Sequence, residues 1–155
     1  MGGRSNPSSP FFDPWFYDLR QQQWITTISD GTQPEPRWAH SLVRLGDSLC
    51  MLYGGRDHQR VYDDCWSVHI TREDDQTVHL SWYLLYESST TLYNANASPG
   101  PRFGSCLLPI CSNATNCQHD EVAIVGGRKD LEGTCKQMFV PNDLSSSCIS
   151  RHLSL

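Results

Sequence analysis

At 155 residues, with 38% hydrophobic and 10% aromatic side chains, the chain has the composition of a globular domain. Its net charge of −5 supplies no general attraction for nucleic acid or anionic membrane, and no apolar run reaches the roughly 18–20 residues that a membrane span needs. Trp, Tyr and Phe (5, 6 and 5) are plentiful, which favours pleated sheet, where large rings pack well.

In chain order, residues 1–12 carry one arginine and no apolar core, so no secretory leader is expected. Gly2-Gly3-Arg4 is followed by Asp13-Pro14-Trp15-Phe16-Tyr17-Asp18 and then Trp24. Pro36-Arg37-Trp38-Ala39-His40-Ser41 opens the clearest stretch. It predicts strands over 40–45 and 48–53 around the turn Gly46-Asp47, then Gly54-Gly55-Arg56, then strands over 65–70 and 81–86 led by Trp66 and Trp82. Pro101-Arg102-Phe103-Gly104-Ser105 begins the pattern again, and the run EVAIV leads to Gly126-Gly127-Arg128 and the aromatic segment KQMFV. SLCMLY and EVAIV are continuous apolar runs, suited to strands buried on both faces. No apolar stripe of period 3.6 has helical length.

The triplet Gly-Gly-Arg therefore occurs three times, at Gly2, Gly54 and Gly126, spaced 52 and 72 residues apart. The longer second interval is read as loop insertions at TREDDQTVH (71–79) and ESSTTLYNANAS (87–98), with CSNATNCQHD lengthening a later hairpin. Seven cysteines make an odd number: Cys50, Cys65 and Cys106 lie in apolar runs, and Cys111 and Cys117 are placed to close a loop. Reduced thiols in a cytoplasmic protein are expected, although the glycosylation patterns at Asn96 and Asn113 leave an extracellular location open.

The Gly-Gly pair, Asp-x-Trp, the second Trp and the Pro-Arg-x-x-His start together resemble the kelch repeat, whose units each form a four-stranded blade of a β-propeller. Val68 stands where that family usually has an aromatic. The resemblance implies an all-β fold of two to three four-stranded blades, an incomplete propeller. Residues 1–33 would end one blade, 34–99 form a complete blade with loop insertions, 100–140 form part of another, and 141–155 lie outside the repeat. A propeller closes with about four blades or more, so a piece of a larger protein is expected. In such a fold the tryptophans and Tyr17 pack between blades, and His40 takes a structural hydrogen-bonding role. GGRSNPSSP, EPRWAHS, LYGGR and DDCW are also similar to the kelch half of the leucine-carboxyl-methyltransferase-like family that completes wybutosine on phenylalanine tRNA. That family places an S-adenosylmethionine-dependent methyltransferase domain before its propeller, and none of its catalytic residues has a counterpart here.

No GxGxxG, P-loop, HExxH, GxSxG or CxxC occurs, so neither a catalytic centre, a metal nor a cofactor is expected in this chain. The acidic run Glu73-Asp74-Asp75 reads as a solvated loop. The resemblance puts the loops after the glycine pairs at one mouth of the propeller channel. These loops supply the candidate binding residues: Arg4 and Asn6, Arg56 and Asp57, and Arg128 and Asp130, with Lys129 beside them. Three arginines brought round one axis would suit an acidic peptide or phosphate, through forked charge-assisted bonds. The opposing reading pairs each arginine with a nearby aspartate such as Asp57, Asp63 or Asp130. The expected role is a protein-interaction module or scaffold taking a protein or acidic peptide at that mouth. The alternative is the propeller part of the tRNA-modifying enzyme, with tRNA as partner; no membrane is expected in either.

Overall fold

The computed structural model describes residues 1–6, 8–87, 99–111, 119–129 and 138–139. All regular structure among them is β. Eleven strands form: β1 (Gly3–Asn6), β2 (Ser9–Phe11), β3 (Phe16–Asp18), β4 (Gln23–Asp30), β5 (Ser41–Arg44), β6 (Leu49–Tyr53), β7 (Cys65–Arg72), β8 (Thr77–Tyr86), β9 (Phe103–Cys111), β10 (His119–Arg128) and β11 (Met138–Phe139). They fall into sheets of two, three and six strands, with orders β1-β2, β11-β10-β9 and β3-β4-β8-β7-β6-β5.

The four strands expected in the complete repeat are β5 to β8, an antiparallel meander in which each strand pairs with the next. Its first turn is closed at Gly46, where the Leu45 and Gly46 amides both donate to the Leu49 carbonyl. The second half of the run SLCMLY, Met51 to Tyr53, is buried on both faces, as its unbroken apolar pattern predicts, while Ser48 is exposed and Leu49 and Cys50 are half-buried. Leu52 points into a cluster with Ile25, Trp66, Val68, Leu80 and Trp82, while Met51 and Tyr53 join Cys65, Leu107, Val122 and Ile124 on the other side. That second cluster seats the β9–β10 sheet against the meander. EVAIV behaves likewise, with Val122, Ala123 and Ile124 all buried.

Two features differ from the expected layout. The segment 71–79, read as a loop insertion, is mostly strand: β7 runs through Arg72 and β8 starts at Thr77. Thr71, Thr77 and Val78 are β-branched and extend the ladder. The chain turns only over the acidic residues, where the Asp74 carboxylate accepts the Gln76 amide proton. The lengthened β8 then offers an outer edge, and β4 pairs with it in parallel, from Thr26 opposite Thr77 to Asp30 opposite Ser81. The hairpin β3–β4 is thereby added to the same six-stranded sheet, and Phe12 covers the face at Trp82, ring centroids 5.3 Å apart.

The expectation that every tryptophan packs between blades also needs correction. Trp66 and Trp82 are buried, but Trp15 and Trp24 are 65% and 63% exposed and Tyr17 lies exposed beside them. These three rings sit on the β3–β4 hairpin at the free edge of the sheet, where among the described residues nothing lies beyond β3. Cys50, Cys65 and Cys106 are free thiols. The loop that Cys111 and Cys117 would close lies outside the described residues. No helix among the described residues is long and apolar enough to cross a membrane.

Candidate functional site

The site is built on the glycine pairs. All six residues, Gly2, Gly3, Gly54, Gly55, Gly126 and Gly127, have positive φ between 62° and 119°, a region that side-chain-bearing residues rarely adopt. Space is as restrictive as the dihedrals. A Cβ on Gly54 would lie 2.3 Å from the Arg102 carbonyl oxygen, and one on Gly55 would lie 2.8 Å from the His40 Cβ. The first two pairs are pressed against the Pro-Arg segment of the following unit: the Gly3 amide donates to the Arg37 carbonyl (3.1 Å), and the Gly55 amide to the Arg102 carbonyl (2.9 Å).

Those two arginines are the site's concealed framework. Arg37 is 0% exposed and Arg102 2%. Arg37 Nη1 donates to the Gly54 carbonyl, and its fork meets Asp64 at 2.5 and 2.8 Å, while its plane lies 3.7 Å from the Tyr62 ring centroid. Arg102 repeats the first of these contacts one unit later, with Nη1 donating to the Gly126 carbonyl at 3.0 Å and Nη2 to the Pro99 carbonyl. Asp64 also accepts the Trp66 indole N–H at 2.7 Å, which accounts for the spacing of these two residues. Sequence reasoning treated Pro-Arg only as the start of a unit. The signal was there, since a buried arginine needs an acid, and Asp64 is fixed relative to Trp66 in the same repeat.

His40 packs against Gly2 and Gly55, and the hydrogen-bonding role expected of it is not served by Nδ1, which is buried without a partner among the described residues. Burial, with repulsion from Arg37 and the amino terminus, pushes the imidazole down to about 4, so it is neutral near pH 7. In the next unit Ser105 takes its place beneath Gly127. Ser41 faces elsewhere and accepts the Leu107 amide at 2.8 Å.

Of the candidate binding residues, the structure brings the arginines into a row with two aromatic side chains. Arg4 lies 4.9 Å from the Trp38 ring centroid, and Arg56 lies 5.6 Å from Trp38 and 5.0 Å from Phe103. Arg56 bridges Trp38 through paired backbone hydrogen bonds of 2.9 Å, and Arg128 is register partner to Phe103 in the β9–β10 ladder. So Trp38 and Phe103, each following a buried arginine, occupy equivalent positions. Neither was singled out from the sequence, although both are aromatic at the same repeat position.

The remaining candidates contribute less. Asn6 is exposed and accepts the Ser8 amide within its own turn. Asp57 is not an ion-pair partner for the row: it accepts the amides of Gln59 and Arg60 and the Tyr62 hydroxyl (2.7 Å). Although partial burial opposes it, those hydrogen bonds hold its carboxyl below the ordinary aspartate value. Arg56 gives one bond, from Nε to the Asp57 carbonyl, and among the described residues neither Arg4 nor Arg56 forms an ion pair. Asp130 lies outside the described residues, and Lys129 is exposed. Among the described residues no three His, Cys, Asp or Glu side chains converge on a point where a metal could sit.

No protein-family model matches the chain. Curated relatives do. A protein of Aspergillus oryzae named tRNA wybutosine-synthesizing protein 4 is 28% identical over 137 residues, covering 86% of this chain and 11% of that protein. Its namesake in Gibberella zeae is 27% identical over 129 residues, covering 82% and 11%. In Eremothecium gossypii a third protein of that name is 33% identical over 55 residues, 36% of this chain. The chain thus spans about a tenth of the length of the relatives it matches, and the likeness is distant homology.

Proposed function

We propose that the chain is a kelch-type propeller segment that supplies recognition, not chemistry, within a cytoplasmic protein of tRNA wybutosine synthesis. The observation that carries this reading is the match to a wybutosine-synthesising protein across 86% of the chain. The geometry supports the kelch part. Two successive glycine pairs lie on the arginine of the next unit through the same hydrogen bond, and two successive buried arginines tie back to the first glycine of their own unit's pair. Contacts that recur from unit to unit are what stacked blades require, because each blade buries its faces only against its neighbours. The methyl transfer of such a protein would be performed by residues outside this chain.

The test is deletion of the gene followed by nucleoside mass spectrometry of the cell's tRNA. The expected outcome is loss of wybutosine, restored by the full-length gene. Wybutosine at its normal level in the deleted strain would sink the reading.

A second reading, a scaffold that takes an acidic peptide, is favoured by the guanidinia of Arg4 and Arg56, which carry positive charge without an ion-pair partner among the described residues. It predicts normal wybutosine together with a co-purifying protein that is released when these arginines are changed.

A further inference from the structure

We propose that the row Arg4, Trp38, Arg56, Phe103 and Arg128 is a binding surface for an unpaired stretch of RNA. This rests on the reading that the chain works in tRNA modification, and it names the side chains that make the contact. The row alternates three cations with two flat rings, and the Arg4 and Arg56 guanidinia lie 4.9 to 5.6 Å from the ring centroids beside them. A guanidinium stacked on a ring is held in one plane, so less entropy is lost when its N–H edge meets an anion. An unpaired nucleotide strand offers the matching alternation, with phosphates for the N–H edges and bases for the flat faces. An acidic peptide supplies the charges but nothing flat.

Local charge agrees, even though the chain as a whole carries −5. Asp57, the acid next to Arg56 in the chain, turns its carboxylate to Tyr62 and two backbone amides and makes no ion pair with Arg56. The row is also stiff: Arg56 is fixed to Trp38 by paired backbone bonds, and Gly104, beside Phe103, donates to the Ala39 carbonyl at 2.7 Å, locking one unit to the next. A surface of fixed spacing favours a repeating polymer over a single phosphate.

The experiment uses the full-length protein and fluorescence anisotropy with labelled tRNA, a single-stranded RNA of about 12 nucleotides, and a polyglutamate peptide. The variant Arg4→Gln/Arg56→Gln/Arg128→Gln should weaken RNA binding about tenfold or more and lower the salt dependence (log K against log salt) by about two. Phe103→Leu keeps the apolar packing and should weaken binding a few-fold with the salt slope unchanged. Arg20→Gln, on an exposed arginine elsewhere, should change neither. If the triple variant does not fold, the exposed Arg4→Gln alone should reduce the salt slope by about 0.7. Unchanged RNA affinity in the triple variant, an unchanged slope in Arg4→Gln, or tight polyglutamate binding that the triple variant abolishes would each overturn the proposal. Failure here with wybutosine still lost on deletion removes the row and leaves the functional reading; RNA binding through the row with wybutosine intact does the reverse.

Discussion

Arg37 carries a full positive charge with no exposed surface, and what keeps it there is Asp64, two backbone carbonyls and the Tyr62 ring. A buried ion pair gives little net stability against an apolar replacement, but breaking it strands a charge in low dielectric. Arg37→Met should therefore cost about 3–5 kcal/mol by leaving the Asp64 carboxylate with only the Trp66 indole, and Asp64→Asn should cost a comparable amount. The double variant Arg37→Met/Asp64→Leu should recover a substantial part of that loss, since neither charge remains. Urea unfolding of the three variants checks this; equal and additive losses would show that the pair is not coupled. Arg37 also explains a residue that looks arbitrary in sequence. Gly54 must be glycine because the carbonyl that receives Arg37 belongs to a residue at φ +62°, whose missing Cβ leaves room for the Arg102 carbonyl.

The elements are joined at two places where histidines sit, and these should respond to pH in opposite directions. His40 lies under the glycine-pair turns, with burial, then Arg37, pushing it down to about 4. The unfolded chain binds that proton from about pH 6.5 downward while the native fold resists it. Stability from this site is therefore complete above about pH 6.5 and falls as pH drops toward 4, by about 3 kcal/mol in total. His79 sits on β8 beside the parallel β4 edge, hydrogen-bonded to Glu73 at 2.6 Å with Asp30 of β4 at 3.8 Å. The Glu73 hydrogen bond, ahead of the nearby charges, raises its value, so its contribution is present below about pH 6.5 and is lost as pH rises through the raised native value. Following both imidazole proton resonances from pH 4 to 8 tests the pair: His40 should titrate near the bottom of the range and His79 above the ordinary histidine value. Both titrating together near 6.5 would show that neither junction is built as described. The parallel β4–β8 pairing itself was not legible, because each segment alone reads only as a strand. Its cause is the extra length of β8, hidden in a stretch whose acidic residues look like a loop.

Across the whole molecule, what could be read from sequence was the part dictated by backbone conformation and by unbroken apolar runs. Glycine pairs announce positive φ, and SLCMLY and EVAIV announce strands covered on both faces, so the meander β5–β8 and the β9–β10 hairpin followed directly. What could not be read was partnership between distant segments: which acid meets Arg37, which ring meets Arg56, and which tryptophans find cover. The tryptophans divide sharply. Trp66 and Trp82 are enclosed by the meander and Phe12, whereas Trp15, Trp24 and Tyr17 form an edge-to-face group at the edge of β3, which has no outer neighbour among the described residues, with Trp15–Trp24 centroids 5.9 Å apart and Tyr17–Trp24 5.1 Å. Rings of this size gathered on an open strand edge combine two attractive surfaces, apolar area and backbone hydrogen-bonding groups awaiting a neighbour. In these 155 residues alone that edge should drive self-association, seen as a mass that rises with concentration in sedimentation velocity. Trp15→Ser with Trp24→Thr should move the population toward monomer while leaving the far-ultraviolet circular dichroism unchanged, because both side chains lie outside the buried clusters. Added salt should not dissolve the association, since apolar contact is not screened. A wild-type chain that stays monomeric at high micromolar concentration would mean that this edge is covered from within, and that the exposed aromatic group is not an interface.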